Sequence, residues 1–221
     1  GIPAWTLAGL DEPMPRVTIL MCAYQNERFV DEAIASVVHQ DFDDWELVIV
    51  DDGSTDLTPA ILRRWAAREP RIVLLMNPVN RGTPQASNRG LAAARAEYVA
   101  RLDADDLCLP GRLREQVEIL DRDPEVVLTS CAYEVIDARG RHVGKVMRAA
   151  PSAVTQYLLH FSNYIGGNSQ VMFRRDAVRA AGGYDDDFDL SQDYDLWTRL
   201  RRAGRFEVTK TVGMRYRLHE R

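Results

Sequence analysis

Asp103-Ala104-Asp105-Asp106 places carboxylates at alternate positions directly after an apolar run ending in Leu102. Two carboxylates one residue apart at a strand end can share one volume and offer the oxygen ligands that a hard divalent ion takes. Mg²⁺ typically uses one or two protein carboxylates plus substrate phosphates, which this spacing supplies. The bland alternative is a solvated acidic loop in which Asp106 or a neighbour caps the next helix. The buried strand in front of the cluster favours the metal. Asp51-Asp52 stand in the same relation to Val48-Ile49-Val50 in "VIVDDGSTD". A turn at Gly53 and a cap from Ser54, Thr55 or Asp56 explain part of that stretch. They do not explain two adjacent carboxylates, whose repulsion something must offset. In "SQDYDLW", Asp193 and Asp195 open an amphipathic helix with Leu196, Trp197 and Leu200 on its apolar face. Either carboxylate can serve the helix dipole while the other points into a crevice.

The elements that must position these residues alternate through the first half. Val17–Cys22, Glu46–Val50, Ile72–Met76, Tyr98–Leu102 and Val126–Cys131 read as apolar strands, and the segments 29–39, 57–67, 84–95 and 110–121 as helices between them. Uninterrupted apolar strands separated by helices indicate a parallel sheet covered on both faces. In such a sheet ligands bind at the carboxyl ends of the strands. "CAYQNE", "VDDGSTD" and "RLDADD" all fall there and converge on one crevice. After about residue 132 the pattern changes. "YEVIDARGRHVGKVM" reads as a hairpin turning at residues 137–140, 153–161 as a helix, "SQVMFRR" as a short strand, and 176–181 as a short helix closed by Gly182-Gly183. An amphipathic helix over 196–203 and two short strands finish the chain. With no linker visible, the whole chain, 1–221, reads as one α/β domain: a strand–helix alternating half over about 15–132, and a second half, about 133–221, appended to the sheet's open edge.

Composition narrows the function. The chain has 221 residues, is 46% hydrophobic and 28% charged, and carries a net charge of -5, an ordinary globular balance and the wrong sign for a general nucleic-acid binder. Lys145 and Lys210 are the only lysines, and an arginine-rich surface suits phosphate or carboxylate recognition. Cys22, Cys108 and Cys131 form no CxxC pair, so neither structural zinc nor a disulfide framework is indicated and a reducing compartment is expected. No apolar run is long enough to cross a bilayer, and the opening "GIPAWTLAGL" is too short and lacks a basic leader for a signal peptide. Neither GxGxxG after the first strand nor GxxxxGK[ST] is present. Four histidines occur; His39, His142 and His160 read as surface or core residues.

Four segments in order resemble family 2 glycosyltransferases of the GT-A fold: "VTILMCAYQNERFVDEAIASVVHQDFDDWELVIVDDGSTD", "NRGTPQASNRGLAAARAEYVARLDADDLCLPGRL", "AGGYDDDF" and "QDYDLWTRLRRAG". The resemblance implies a nucleotide-diphosphate sugar donor, a divalent metal (Mn²⁺ or Mg²⁺) and inverting transfer to a hydroxyl of a saccharide or lipid-linked acceptor. By motif position Ala23, Tyr24, Glu27 and Asp52 would line the nucleoside pocket, with Asp52 accepting a hydrogen bond from the base. Asp103, Ala104 and Asp105 match the DxD, the aspartates contacting ribose and holding the metal on the diphosphate. Asn88 falls where members contact the diphosphate, although Ser87 stands where many carry arginine. Asp193 matches the general base; Gln192 replaces a common glutamate before it. His219 matches a histidine that closes the site in some members and can bind the metal. The same kinship implies a cytoplasmic protein at the inner face of the membrane, with room for peripheral membrane association and a homodimer.

Three other readings compete. A haloacid-dehalogenase-type phosphatase would need a nucleophile where "VDDGST" has Val50, or a lysine that only Lys145 or Lys210 could supply. A sugar nucleotidyltransferase would need a glycine-rich basic loop that "MCAYQNERF" lacks. A catalytically silent nucleotide-sugar-binding module of a larger polysaccharide-synthesis protein is the third, and the presence of Asp105 and Asp193 counts against silence. Acceptor specificity is expected around "NYIGGNSQ" and Tyr184-Asp185.

Overall fold

The computed structural model describes residues 14–188 and 190–219; "GIPAWTLAGL" lies outside them. β1 (Val17–Ala23), β2 (Trp45–Asp51), β3 (Ile72–Met76) and β4 (Tyr98–Arg101) pair in parallel in the order β3-β2-β1-β4. Strand periodicity of two sends successive side chains to opposite faces. Ile19, Met21, Leu47 and Ile49 therefore pack on one side, against α1 (Val30–Val38), α2 (Thr58–Ala66) and α4 (Arg112–Arg122). Leu20, Val48, Val50 and Val99 pack on the other, against α3 (Thr83–Ala93) and α7 (Gln192–Leu200). Both faces are apolar because both are covered, and each fully buried Val, Leu or Ile contributes about 1.5–3 kcal/mol. α3 can lie close to the sheet because Gly90 has no side chain; a Cβ there would sit 2.1 Å from Leu20 Cδ1.

The chain leaves β3, crosses back over β1 and enters β4, so the strand order reverses between β1 and β4. That reversal opens a crevice at their carboxyl ends. Beyond β4 the sheet departs from the sequence-based expectation. β8 (Val171–Arg174) inserts antiparallel between β4 and β6 (Val126–Ile136), so the fifth expected strand runs in the direction of β4 without touching it. The buried Arg112 side chain ties this junction, its Nη2 donating to the carbonyls of Arg101 at 2.8 Å and Val171 at 3.2 Å.

The two short strands expected at the end are one 13-residue strand, β9 (Arg205–Arg217). It runs parallel to β6, and register shifts near Ser130–Tyr133 absorb the irregularity that made the segment read as two pieces. β5 (Leu107–Cys108) was not foreseen, since two residues carry no periodicity. It pairs antiparallel with Met214 and Arg215 of β9. The hairpin of β6 with β7 (His142–Val146) forms as expected, its turn held by Asp137, which accepts from the Arg139 and Arg141 amides at 2.9 Å each. α5 (Ser152–Leu158) and α6 (Arg175–Ala180) complete the second half.

After α6 the chain turns at Gly182-Gly183. Gly183 has φ +71°, and a Cβ there would lie 2.6 Å from Asn88 Oδ1, an atom fixed by the Tyr184 amide at 2.9 Å. Gly183→Ala is expected to cost about 2 kcal/mol and to lower Tm by roughly 4–8 °C. Thermal denaturation followed by circular dichroism checks this; an unchanged Tm would mean the turn relaxes freely.

Candidate active site

A cavity of about 330 Å³ opens at the strand ends, lined by Ala23 at the end of β1 and Tyr24 just after it, Asp52 after β2, and Asp103, Ala104 and Asp105 after β4. Six of the residues expected from sequence therefore meet in one place. Asn168 and Gln192 close it from the second half of the chain.

Asp52 is almost fully buried. Its Oδ1 accepts from Asn77 Nδ2 at 2.6 Å, and Oδ2 accepts from the Gly82 amide at 2.9 Å, while the Arg81 amide reaches both oxygens. Three donors use three of the roughly four acceptor positions of a carboxylate, leaving one for a ligand. Asp51 instead takes the Ser54 amide at 3.3 Å, so the paired carboxylates divide between loop and turn. Two expected residues sit elsewhere. Glu27 accepts from the Leu57 amide at 2.9 Å, ahead of α2, and it is Asn26 that lines the cavity. Asn88 bridges α3 to the following half: its Nδ2 donates to the Tyr184 carbonyl at 2.7 Å and its Oδ1 accepts from the Tyr184 amide.

The acidic loop is held from beneath by Arg101. This fully buried guanidinium donates to the Leu20 carbonyl at 3.2 Å, approaches Asp103 Oδ1 at 3.4 Å and lies 5.7 Å from the centre of the Tyr184 ring. The Asp103 amide donates to Ser169 Oγ at 2.9 Å. Burial, opposed by Arg101 and reinforced by Asp105, pushes the Asp103 carboxyl above its usual range. Asp106 does not cap α4. It is buried, accepts from the Arg217 amide at 2.8 Å, and is pushed well up, first by burial and then by Asp105 and Asp103. Arg217 is the counterpart of Arg101 on the outer side. Its Nε donates to the Asp105 carbonyl at 2.8 Å, its Nη2 pairs with Glu32 at 2.8 Å, and its guanidinium lies 4.6 Å from the centre of the Phe29 ring. Two residues further on, His219 Nε2 stands 2.5 Å from Asp105 Oδ2. The β5–β9 pairing brings the chain's end to this loop.

Asp193 lies in the first turn of α7. Its Oδ1 accepts from the Tyr194 amide at 2.7 Å and its Oδ2 from Asn163 Nδ2 at 3.2 Å. Burial raises its pKa, and its charge contributes to raising that of Asp103, so both belong to one electrostatic unit. Asp195 faces away and forms an i,i+4 pair with Arg199, Nε to Oδ2 at 3.0 Å. Helix periodicity separates the two carboxylates, as two positions along a helix do not share a face. Behind Asp103 a second cavity of about 340 Å³ is bounded by Asn163, Gly167 and Gln170, within the "NYIGGNSQ" segment where acceptor specificity was expected. Arg101 and Arg217 escaped the sequence reading, and Asp106 enters it only as part of the acidic cluster or as a helix cap. Only their place beside "DAD" or two residues before His219 could have flagged them.

The residues present fit a divalent ion that shares its coordination with a substrate. Asp103 and Asp105 crowd negative charge that a cation relieves, and oxygen donors of this kind suit Mg²⁺ or Mn²⁺. Among the described residues no group of three or more His, Cys, Asp or Glu side chains is placed to hold a metal ion, so Asp103, Asp105 and His219 do not stand as a ready set of three ligands. No described helix is long and apolar enough to cross a membrane.

Fold and site together define a GT-A nucleotide-sugar-transferase architecture. The sequence model for "Glycosyl transferase family 2" matches residues 18–182. The amylovoran biosynthesis glycosyltransferase AmsE of Erwinia amylovora is 30% identical over 190 residues, covering 85% of this chain and 70% of its own. Residues 1–349 of S. aureus TarS, in complex with UDP-GlcNAc, superpose with a TM-score of 0.78 at 18% identity, over 93% of this chain and 59% of that one. The mannosyltransferase PcManGT from Pyrobaculum calidifontis, in complex with GDP-Man and Mn²⁺, gives a TM-score of 0.72 at 25% identity, over 92% and 57%. This chain belongs to glycosyl transferase family 2.

Asp52→Ala would strand the Asn77 and Arg81–Gly82 donors together with any ligand donor. Unpaired buried donors cost about 1–3 kcal/mol each, so Tm should fall and nucleotide affinity should weaken roughly tenfold or more. Calorimetric titration with UDP and GDP, beside a thermal melt, checks both. A lowered Tm with unchanged affinity would leave Asp52 only as the staple of its loop.

Proposed function

We propose that this chain is a metal-dependent inverting glycosyltransferase that moves a sugar from a nucleotide-diphosphate donor to a hydroxyl of a saccharide or lipid-linked acceptor. One observation carries the reading: Asp103 and Asp105 line the crevice, and Asp193, from the opposite half of the chain and next to the lining residue Gln192, lies close enough for its charge to raise the pKa of Asp103. An acidic pair for the diphosphate and a separate carboxylate for the acceptor are what single-displacement transfer requires. Support also comes from the nucleotide sugars bound by TarS and PcManGT, and from the Mn²⁺ in the latter. In this reading residues 1–221 act as one GT-A domain with a donor half and an acceptor half.

The nucleoside enters the 330 Å³ cavity, with its base against Tyr24 and the remaining acceptor position of Asp52. Asp103 and Asp105 would hold Mn²⁺ or Mg²⁺, with His219 as a further ligand beside Asp105. A bound divalent ion neutralises the charge that develops on the leaving diphosphate. Asp193, oriented by Asn163 and the Tyr194 amide, takes the proton of the acceptor hydroxyl as it attacks. Approach from the face opposite the leaving group inverts the anomeric carbon without a covalent intermediate. Because burial raises the pKa of Asp193, the base is lost on acidification earlier than an ordinary carboxylate would be. Transfer should therefore decline as pH falls toward a value above the usual aspartate range.

Two experiments test this. Titration of UDP-GlcNAc and GDP-mannose with Mn²⁺ present or chelated should give metal-dependent binding of at least one donor, and Asp105→Ala should remove the metal's effect. Equal affinity in excess chelator rejects the metal assignment. Asp193→Asn should lower transfer or donor hydrolysis by about 10²–10⁴ while leaving donor affinity intact. Its Tm should not fall at neutral pH, because burial disfavours the ionised carboxylate that the substitution removes. Asp195→Asn should do the reverse, losing a little stability with its Arg199 pair and keeping turnover. Wild-type turnover in Asp193→Asn rejects the base and revives a silent binding module.

A further inference from the structure

The second cavity, of about 340 Å³, shares Asp103 and Asn168 with the first cavity and, Asp103 apart, is built from the second half of the chain. Its wall reaches Asp193: a Cβ added to Gly167 would come within 3.9 Å of Asp193 Oδ2. Tyr133 and Tyr216 line one side, with ring centres 6.0 Å apart in an edge-on arrangement. Amphipathic rings of this kind present an apolar face to a sugar and keep a polar rim. The lining contains one cation, Arg148. Its Nη1 donates to the Asn163 carbonyl at 2.7 Å, and the same Asn163 holds Asp193 through its amide at 3.2 Å. Arg148 has no carboxylate partner among the described residues, unlike Arg199, Arg215 and Arg217 nearby. With Nη1 occupied, the Nε–Nη2 edge is the part of the guanidinium left for a ligand.

We propose that this cavity seats the acceptor sugar and selects one that carries a carboxylate, which the Nε–Nη2 edge of Arg148 receives as a planar, two-pronged partner. The inference rests on the transferase reading for the word acceptor, but the anion preference is a property of the cavity itself. A half-buried guanidinium with no counter-charge is under-satisfied, and a carboxylate matches its fork better than a hydroxyl does. Asn163 links the two functions, since the atom set that orients the base also fixes the cation. An acid group anchored at Arg148 thus places the acceptor ring against Tyr133 and Tyr216, with its hydroxyls toward Asp193.

The test uses the full chain without donor or metal, so that a failure of the transferase reading leaves its result intact. 4-Nitrophenyl β-D-glucuronide and 4-nitrophenyl β-D-glucoside differ at one carbon, and glucose 6-phosphate supplies a larger negative charge in the form of a phosphate. Titrations followed by ligand-observed NMR should give the glucuronide a Kd roughly tenfold or more below that of the glucoside, as expected for a hydrogen-bonded charge pair. Arg148→Gln should abolish the difference. Arg148→Lys should restore part of it, because a point charge replaces a fork. In a separate titration with Mn²⁺ present, affinity for UDP should be the same in both variants and the parent, which separates this cavity from the donor site, and a circular-dichroism melt confirms that each variant folds. Equal Kd values for the two glycosides, including no binding by either, overturn the proposal. So does a preference that survives Arg148→Gln, or glucose 6-phosphate binding more tightly than the glucuronide.

Discussion

Three aspartates within four residues at the end of one buried strand repel each other, and the surrounding structure is arranged to hold them. Burial first and like charge after it favour protonation, which is the direction in which Asp103 and Asp106 move. The protein answers with two arginines at fixed positions. Arg101 lies fully buried beneath the loop and Arg217 lies buried beside it. A buried guanidinium is costly unless its donors are met. Arg217 is met by the Asp105 carbonyl and Glu32. Arg101 is met in part, its Nη atoms reaching the Leu20 carbonyl and Asp103 while its Nε has no partner among the described residues. The loop is therefore rigid in backbone while two of its carboxylates face the crevice, with side chains 39% exposed at Asp103 and 24% at Asp105.

That constraint explains features that otherwise look unrelated. The long β9 has to run the length of β6 and then meet β5, because only then does Arg217 reach the acidic loop and carry His219 to Asp105. β8 has to wedge between β4 and β6 so that Ser169, just ahead of it, can accept from the Asp103 amide. The two halves of the chain are thus joined at the site itself. Packing on both faces of the sheet supplies the stability, and the acidic loop determines where the second half must lie.

Asp103 also marks the boundary between two spaces. One is walled by β1, β2 and α3 and suits a nucleotide; the other is walled by the 163–170 segment and the Tyr133–Tyr216 pair. Transfer in one displacement needs the electrophilic carbon at the junction of two such spaces, with leaving-group stabilisation on one side and a base on the other. Asn163 and Asn168 border the two spaces from the second half of the chain. Asn163 aims Asp193, while Asn168 lines both cavities and accepts the Tyr184 hydroxyl at 2.9 Å.

The first half of the fold was legible in the sequence because its signals are local. Apolar strands buried on both faces read as continuous runs, helices as a 3.6-residue period, and the carboxyl ends of strands follow from chain direction alone. The DxD, Asp52 and Asp193 could be singled out for the same reason: each sits at the end or start of an element that its neighbours define. Glu27 and Asn88 were placed at the ligand by position in a motif, whereas their partners, the Leu57 amide and the Tyr184 backbone, are 30 and 96 residues distant. No local pattern encodes those contacts. Arg101 and Arg217 went unnoticed, and Asp106 read as a solvated or capping residue, because a buried charge reads in sequence as an exposed one, and only the packing around it gives it a role. The insertion of β8, the merging of the last two strands into β9 and the arrival of His219 at Asp105 were likewise decided by tertiary structure. Each depends on pairing between segments far apart in the chain, whose free energy is set by which edges, carbonyls and charges are left unsatisfied once the local elements have formed.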